Sequence, residues 1–192
     1  MQLLPLVFTS GWASGINPYL VVLIMGLVGR FTDLAVPDAL TRNDVLIAAA
    51  LLTAVDFVAD KVAYLDSGWD VVNTVVRPVA GTVIALLISS DATSLQQAFL
   101  AATGGGTAFV THLVKAGVRL GVNTSPEPAS NVVVSLGEDV AVAGVVSLAF
   151  VAPWVAAGIA LVLLVTGLAV VGTVVAFLRR RRRARKQGPS GP

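Results

Sequence analysis

Between Pro153 and Leu178 the chain runs 26 residues without a charged side chain, and Arg179 to Arg183, Arg185 and Lys186 follow directly. About 20 apolar residues of helix cross the ~30 Å hydrocarbon core of a bilayer. Inside lipid every backbone donor and acceptor needs a partner within the protein, so such a run has little choice but to be helical. Trp154 and Phe177 near its ends suit the two interfacial belts, and the segment reads as a lipid-facing anchor. The rest of the chain is of the same kind. Charged residues make up 12% and hydrophobic residues 56%, against about 25% charged in soluble domains. The sequence therefore predicts an all-α polytopic membrane protein, with residues 1–178 as one transmembrane domain and 179–192 as a basic, disordered cytoplasmic tail. Without cysteine, disulfides and thiolate metal sites are excluded.

Seven of the thirteen basic residues lie in that tail, which leaves the body with six bases and eleven acids. Lys/Arg-rich flanks stay cytoplasmic, so the tail is first a topology signal. It also predicts contact with anionic lipid headgroups. Nucleic acid is not expected as a partner, because no aromatics interleave the run. The first residues, Met1 to Pro5, lack the basic start of a signal peptide and read as part of a retained first span.

Six membrane segments are expected. The first covers residues 3–29. In it Ser10/Ser14 and Gly11/Gly15 are overlapping small-xxx-small pairs that permit close helix approach, and Pro18 predicts a kink or break near Asn17. The second, 44–65, ends in Asp56, Asp60 and Lys61. A tight connector, Asp66 to Asp70, leads to the third, 70–89, where Pro78 either breaks the helix or opens a short re-entrant one. The fourth, 95–120, is expected to break at Gly104, Gly105 and Gly106, which also read as packing residues. The fifth, 131–152, follows Pro128, and the sixth is the anchor. Six spans with the tail inside place both termini in the cytoplasm of a multi-pass inner-membrane protein.

Residues 72–86 and 122–136 match at six of fifteen positions, with Asn73, Thr74 and Pro78 recurring as Asn123, Thr124 and Pro128. This predicts a degenerate repeat of two hairpins related about an axis along the membrane normal. Arg77 and Glu127 stand at equivalent places with opposite charge, and a pair across that axis is expected.

Asn17, Asp56, Asp60, Asn73, Arg77, His112, Lys115, Asn123, Glu127, Glu138 and Asp139 fall within or beside these spans. An unpaired charge at mid-bilayer costs about 2.5–3.5 kcal/mol even on the lenient insertion scale. Such groups must face one another, a hydrated cavity or the interface. One reading makes the acids structural ion pairs while Lys61, Lys115 and Arg119 snorkel to headgroups. The other makes the set a polar site for an ion or small solute, with carboxylates, bases and Asn side chains in complementary parts. His112 lacks the spacing partner of a metal site, and neither metal nor cofactor is expected. Trp12-Ala13-Ser14-Gly15 resembles the G-x-S-G motif of intramembrane serine proteases, with His112 as base, but Trp12 stands where the leading glycine belongs.

Taken together, Ser14 to Tyr19, the block from Asp60-Lys61 through Trp69-Asp70 to Arg77-Pro78 and Gly81, and His112, Lys115 and Asn123 to Pro128 with Asn131 resemble the bacterial membrane family catalogued as domain of unknown function 4126. The resemblance covers nearly all of the chain except the basic tail. It implies an integral-membrane fold and no particular mechanism. The expected function is transport of a small solute or ion through a site between the repeated hairpins, with no enzymatic activity. The alternatives are a non-transporting scaffold, open to homo-oligomers, and more remotely an intramembrane enzyme.

Overall fold

A computed structural model describes residues 2–61, 63–123 and 128–186. Among them every regular element is a helix: α1 (Leu3–Ser14), α2 (Pro18–Phe31), the one-turn α3 (Asp38–Thr41), α4 (Asn43–Ala59), α5 (Ala63–Ile88), α6 (Ser94–Asn123), α7 (Pro128–Val151) and α8 (Pro153–Lys186). Gly68–Ile88, Val132–Val151 and Pro153–Phe177 are each long and apolar enough to cross a membrane, and α1 and α2 are shorter apolar helices. The chain is a helical membrane protein.

The first segment breaks where expected, and its two halves are not one kinked helix. Along one helix Leu6 and Met25 would stand about 28 Å apart at 1.5 Å per residue. Instead they line one cavity of about 190 Å³ together with Ile88 and Phe150. The chain doubles back between α1 and α2, making a helical hairpin. The local chemistry accounts for the reversal. The N–H groups of Ile16 and Asn17 both close onto the Ala13 carbonyl. Asn17 is extended (φ −150°, ψ 90°), its side chain accepts from the Leu20 N–H, and Pro18 opens α2. An Asn cap followed by proline at the first helical position is a strong start signal for a new helix.

Glycines seat this hairpin against the bundle. A Cβ on Gly11 would stand 2.6 Å from the Gly104 carbonyl oxygen, and one on Gly104 would stand 2.6 Å from that of Gly81. A Cβ on Gly15 would overlap the Ala108 carbonyl and Thr111. Backbone thus meets backbone from α1 through α6 to α5. Ser10 and Ser14 are buried along the same stripe. Gly105 packs against Thr82, whereas Gly106 has open space. The glycines serve as contact surface, and α6 passes through 104–106 unbroken where an interruption was expected.

Two further expectations are corrected in α5. The expected connector Asp66 to Asp70 is helical, because the chain already turns at Asp60 and Lys61. Pro78 lies inside the helix and neither breaks nor opens it. Its missing N–H leaves the Thr74 carbonyl without its usual partner, while Thr82 Oγ1 donates to the Pro78 carbonyl at 2.9 Å. Pro128, by contrast, is the first residue of α7.

The matched stretches occupy unlike places. Residues 72–86 lie within α5, whereas 122–136 straddle the end of α6 and the start of α7. α5 packs mainly on α6, while α4 with α5 and α6 with α7 touch little, so the expected hairpin units are not the packing units. At the chain's end α8 continues through the basic run to Lys186, where a structureless tail was expected from Arg179. Only 6% of its most apolar window is buried, as suits a lipid-facing anchor. Ala156, Ala160 and Leu164 form the stripe by which it joins the core.

Candidate functional site

At helical spacing Asp56 near the end of α4 and its C-cap Asp60 point the same way, His112, Lys115 and Arg119 share one face of α6, and Asn73 and Arg77 face inward from α5. These faces converge below the tip of the α1–α2 hairpin. All seven side chains are buried to 3% exposure or less.

The first group is built on Asp56, which is fully buried. Trp69 Nε1 donates to its Oδ1 at 2.6 Å and Asn73 Nδ2 at 3.5 Å, while Arg77 Nη2 lies 3.6 Å away. Arg77 Nη1 reaches Asp70 Oδ1 at 3.1 Å and His112 Nδ1 at 2.8 Å. A guanidinium only donates, so His112 Nδ1 must accept, and the ring is held as the neutral Nε2–H tautomer. Nε2 then donates to Thr74 Oγ1 at 3.0 Å, which itself donates to the Asp70 carbonyl at 2.8 Å. Tyr19 covers this group from the hairpin. Its hydroxyl donates to Asn73 Oδ1 at 3.3 Å, and its ring lies 6.5 Å from that of Trp69.

The second group is built on Asp60. Its Oδ2 accepts from Lys115 Nζ at 2.6 Å and from Arg119 Nη2 at 3.2 Å. Arg119 also donates from Nη2 to Glu138 Oε2 at 2.7 Å and from Nη1 to the Asp60 carbonyl at 2.8 Å. Lys115 Nζ makes one more bond, to the Ile16 carbonyl at the hairpin tip, at 3.1 Å. Beside it Asn17 Nδ2 donates to Asp139 Oδ1 at 3.3 Å. Lys61, only part-buried, lies over the Phe57 ring and donates to the Phe57 carbonyl at 2.9 Å and to Ser135 Oγ at 3.4 Å. A cavity of about 310 Å³ opens onto Trp12, Ile16, Thr111, Lys115 and Glu138. Among the described residues, Asp56 Oδ2, Asp60 Oδ1 and Asp139 Oδ2 are buried without a hydrogen-bond partner.

Nine of the eleven residues picked out in the sequence thus fall in these two groups or in the Asn17–Asp139 pair beside them. Glu127 and the side chain of Asn123 lie outside the described residues, and with them the expected Arg77–Glu127 pair. Lys115 and Arg119 are buried in ion pairs and do not snorkel. Ser14 makes no hydrogen bond with His112, both of whose ring nitrogens are engaged. Among the described residues no three His, Asp or Glu side chains converge as a metal site would need. Sequence reasoning missed Tyr19, Trp69, Asp70, Thr74, Arg119 and Ser135 as members. Asp70, Thr74 and Arg77 follow helical spacing, and that signal was hidden by the expectation of a connector there.

A family model described as domain of unknown function (DUF4126) matches residues 4–173. No curated protein and no solved structure matches the chain.

Proposed function

We propose that this chain, which belongs to the DUF4126 family, transports an ion or small charged solute across the membrane. The observation that carries this reading is the hairpin tip: the Ile16 carbonyl and the Asn17 side chain end among Lys115, Asp139 and the Asp60 group. Non-helical backbone at membrane depth is tolerated where it is buried in protein or lines a cavity, and transporters build ion and substrate sites from such broken helices. A scaffold needs helix contacts, which the glycine stripe supplies, but it has no use for buried carboxylate oxygens left without partners.

Asp139 separates the two readings. Its hydrogen bond from Asn17 is weak and Asn preserves its shape, so Asp139→Asn should leave thermal unfolding nearly unchanged. Under the transport reading, ions or solutes that stabilise the purified protein should cross proteoliposomes containing it, and Asp139→Asn should cut that flux tenfold or more. Unaltered flux in the variant, or a panel in which nothing is carried, would reject transport in favour of a scaffold.

The hairpin also bears on topology. We infer that α1–α2 returns to the face it entered from and that the chain crosses five times, through α4 to α8. The basic tail stays cytoplasmic, so the N-terminus lies on the opposite side, whereas the sequence reading put both termini inside. A reporter active only after export should be silent when fused after Lys186 and active when fused before Met1. Silence at both ends would restore the six-span arrangement.

A further inference from the structure

The two halves of the network differ in charge. Around Asp60, the carboxylates of Asp60, Glu138 and Asp139 face the bases Lys61, Lys115 and Arg119. Around Asp56 the balance fails. Asp56 and Asp70 share the single guanidinium of Arg77, and the bond from Arg77 keeps His112 neutral. Among the described residues this half lacks one positive charge, and Asp56 Oδ2 is buried with no partner. Against it, on the lipid side, lies a crevice of about 680 Å³ between α4 and α5, walled by Leu51, Ala54, Val55, Val58, Leu65 and Trp69. Trp69 belongs to both sides, lining the crevice and donating to Asp56 Oδ1.

We propose that this crevice binds a lipophilic monovalent cation, which enters from the membrane, lays its apolar body between α4 and α5, and brings its charge against Trp69 with Asp56 and Asp70 behind. Apolar walls, an indole ring and an unmatched carboxylate are the features that recognise such a cation. The walls remove its hydrocarbon from lipid at little cost, the ring attracts the charge through its quadrupole, and the carboxylates act through a medium where Coulomb forces are weakly screened. An anion of the same shape would meet the negative charge and be refused. The proposal rests on the transport reading and names its substrate class.

The test uses the full chain purified in detergent, with tetraphenylphosphonium as probe and tetraphenylborate as its oppositely charged counterpart, in equilibrium dialysis. Tetraphenylphosphonium should bind saturably at one site, and tetraphenylborate should not compete. Asp56→Asn should weaken binding at least tenfold. Ala54→Phe, which fills the crevice and touches no charged group, should weaken it as much and serves should Asp56→Asn fail to fold. Equal binding of both probes would show an apolar crevice without charge selectivity and would overturn the proposal. Absence of saturable binding, or affinity unchanged in Ala54→Phe, would do the same. Because dialysis involves no flux, a negative result alongside ion transport in proteoliposomes would remove the substrate class and leave the transport reading standing.

Discussion

Arg77→Ala should destabilise the folded protein by about 3–5 kcal/mol, the cost of stripping a buried charge of its partner. The guanidinium stands between Asp56 and Asp70 and is itself fully buried. Its removal leaves two carboxylates in apolar surroundings and frees His112 Nδ1. Neutralising Asp56 in the same chain should recover part of the loss, with a coupling in the double-mutant cycle above about 1 kcal/mol. Arg77→Lys should fall between, since one ammonium cannot reproduce the planar fork that serves Asp56, Asp70 and His112 together. Reversible unfolding in detergent measures each variant. Additive single effects, or a loss within the 0–1 kcal/mol range of surface pairs, would mean the guanidinium is solvated and that the Asp56 group is no network.

The sequence exposed this network through an energetic contradiction and not through a motif. Weakly hydrophobic helices cannot carry Asp56, Arg77, His112 and Lys115 into lipid singly, so their presence already required mutual contact. Helical spacing then supplied the faces on α4 and α6. Spacing could not reveal the direction of the chain after Asn17. An Asn-Pro step reads alike whether the following helix continues forward or folds back, and the choice is made by Gly11, Gly15, Gly104 and Gly81 docking backbone on backbone across three helices. The misreading of residues 66–70 has a related cause. Asp-Ser-Gly is turn chemistry in water, yet here packing of α5 on α6 and the bonds of Trp69 and Asp70 to Asp56 and Arg77 outweigh local preference. Pro78 was overvalued for the same reason. Short-range signals located the polar atoms well and located the helix ends poorly.

Asp60 is the other residue whose loss should cost about 3–5 kcal/mol, again as a buried partner removed. Its Oδ2 is shared by Lys115 and Arg119, and both cations are at least as buried as Asp60 itself. Asp60→Asn keeps the side chain's shape and the backbone carbonyl that takes Arg119 Nη1, so the change isolates charge. It leaves two cations competing for Glu138, whose Oε2 already lies 2.7 Å from Arg119 and 3.6 Å from Lys115. Glu138→Gln should therefore cost less, because Asp60 still bridges both bases and the Glu138 side chain is 17% exposed. Lys115→Met added to Asp60→Asn should restore much of the stability, as one base then matches one acid. Raising salt should alter none of these differences much, for counter-ions screen exposed charges and reach buried ones poorly. The exposed Arg42–Asp44 pair is the control, and removing it should change nothing measurable. The same ordering in bilayers and detergent would place the Asp60 group inside the packed bundle. An Asp60→Asn protein as stable as the parent would instead mean that water reaches both cations through the cavity at Glu138.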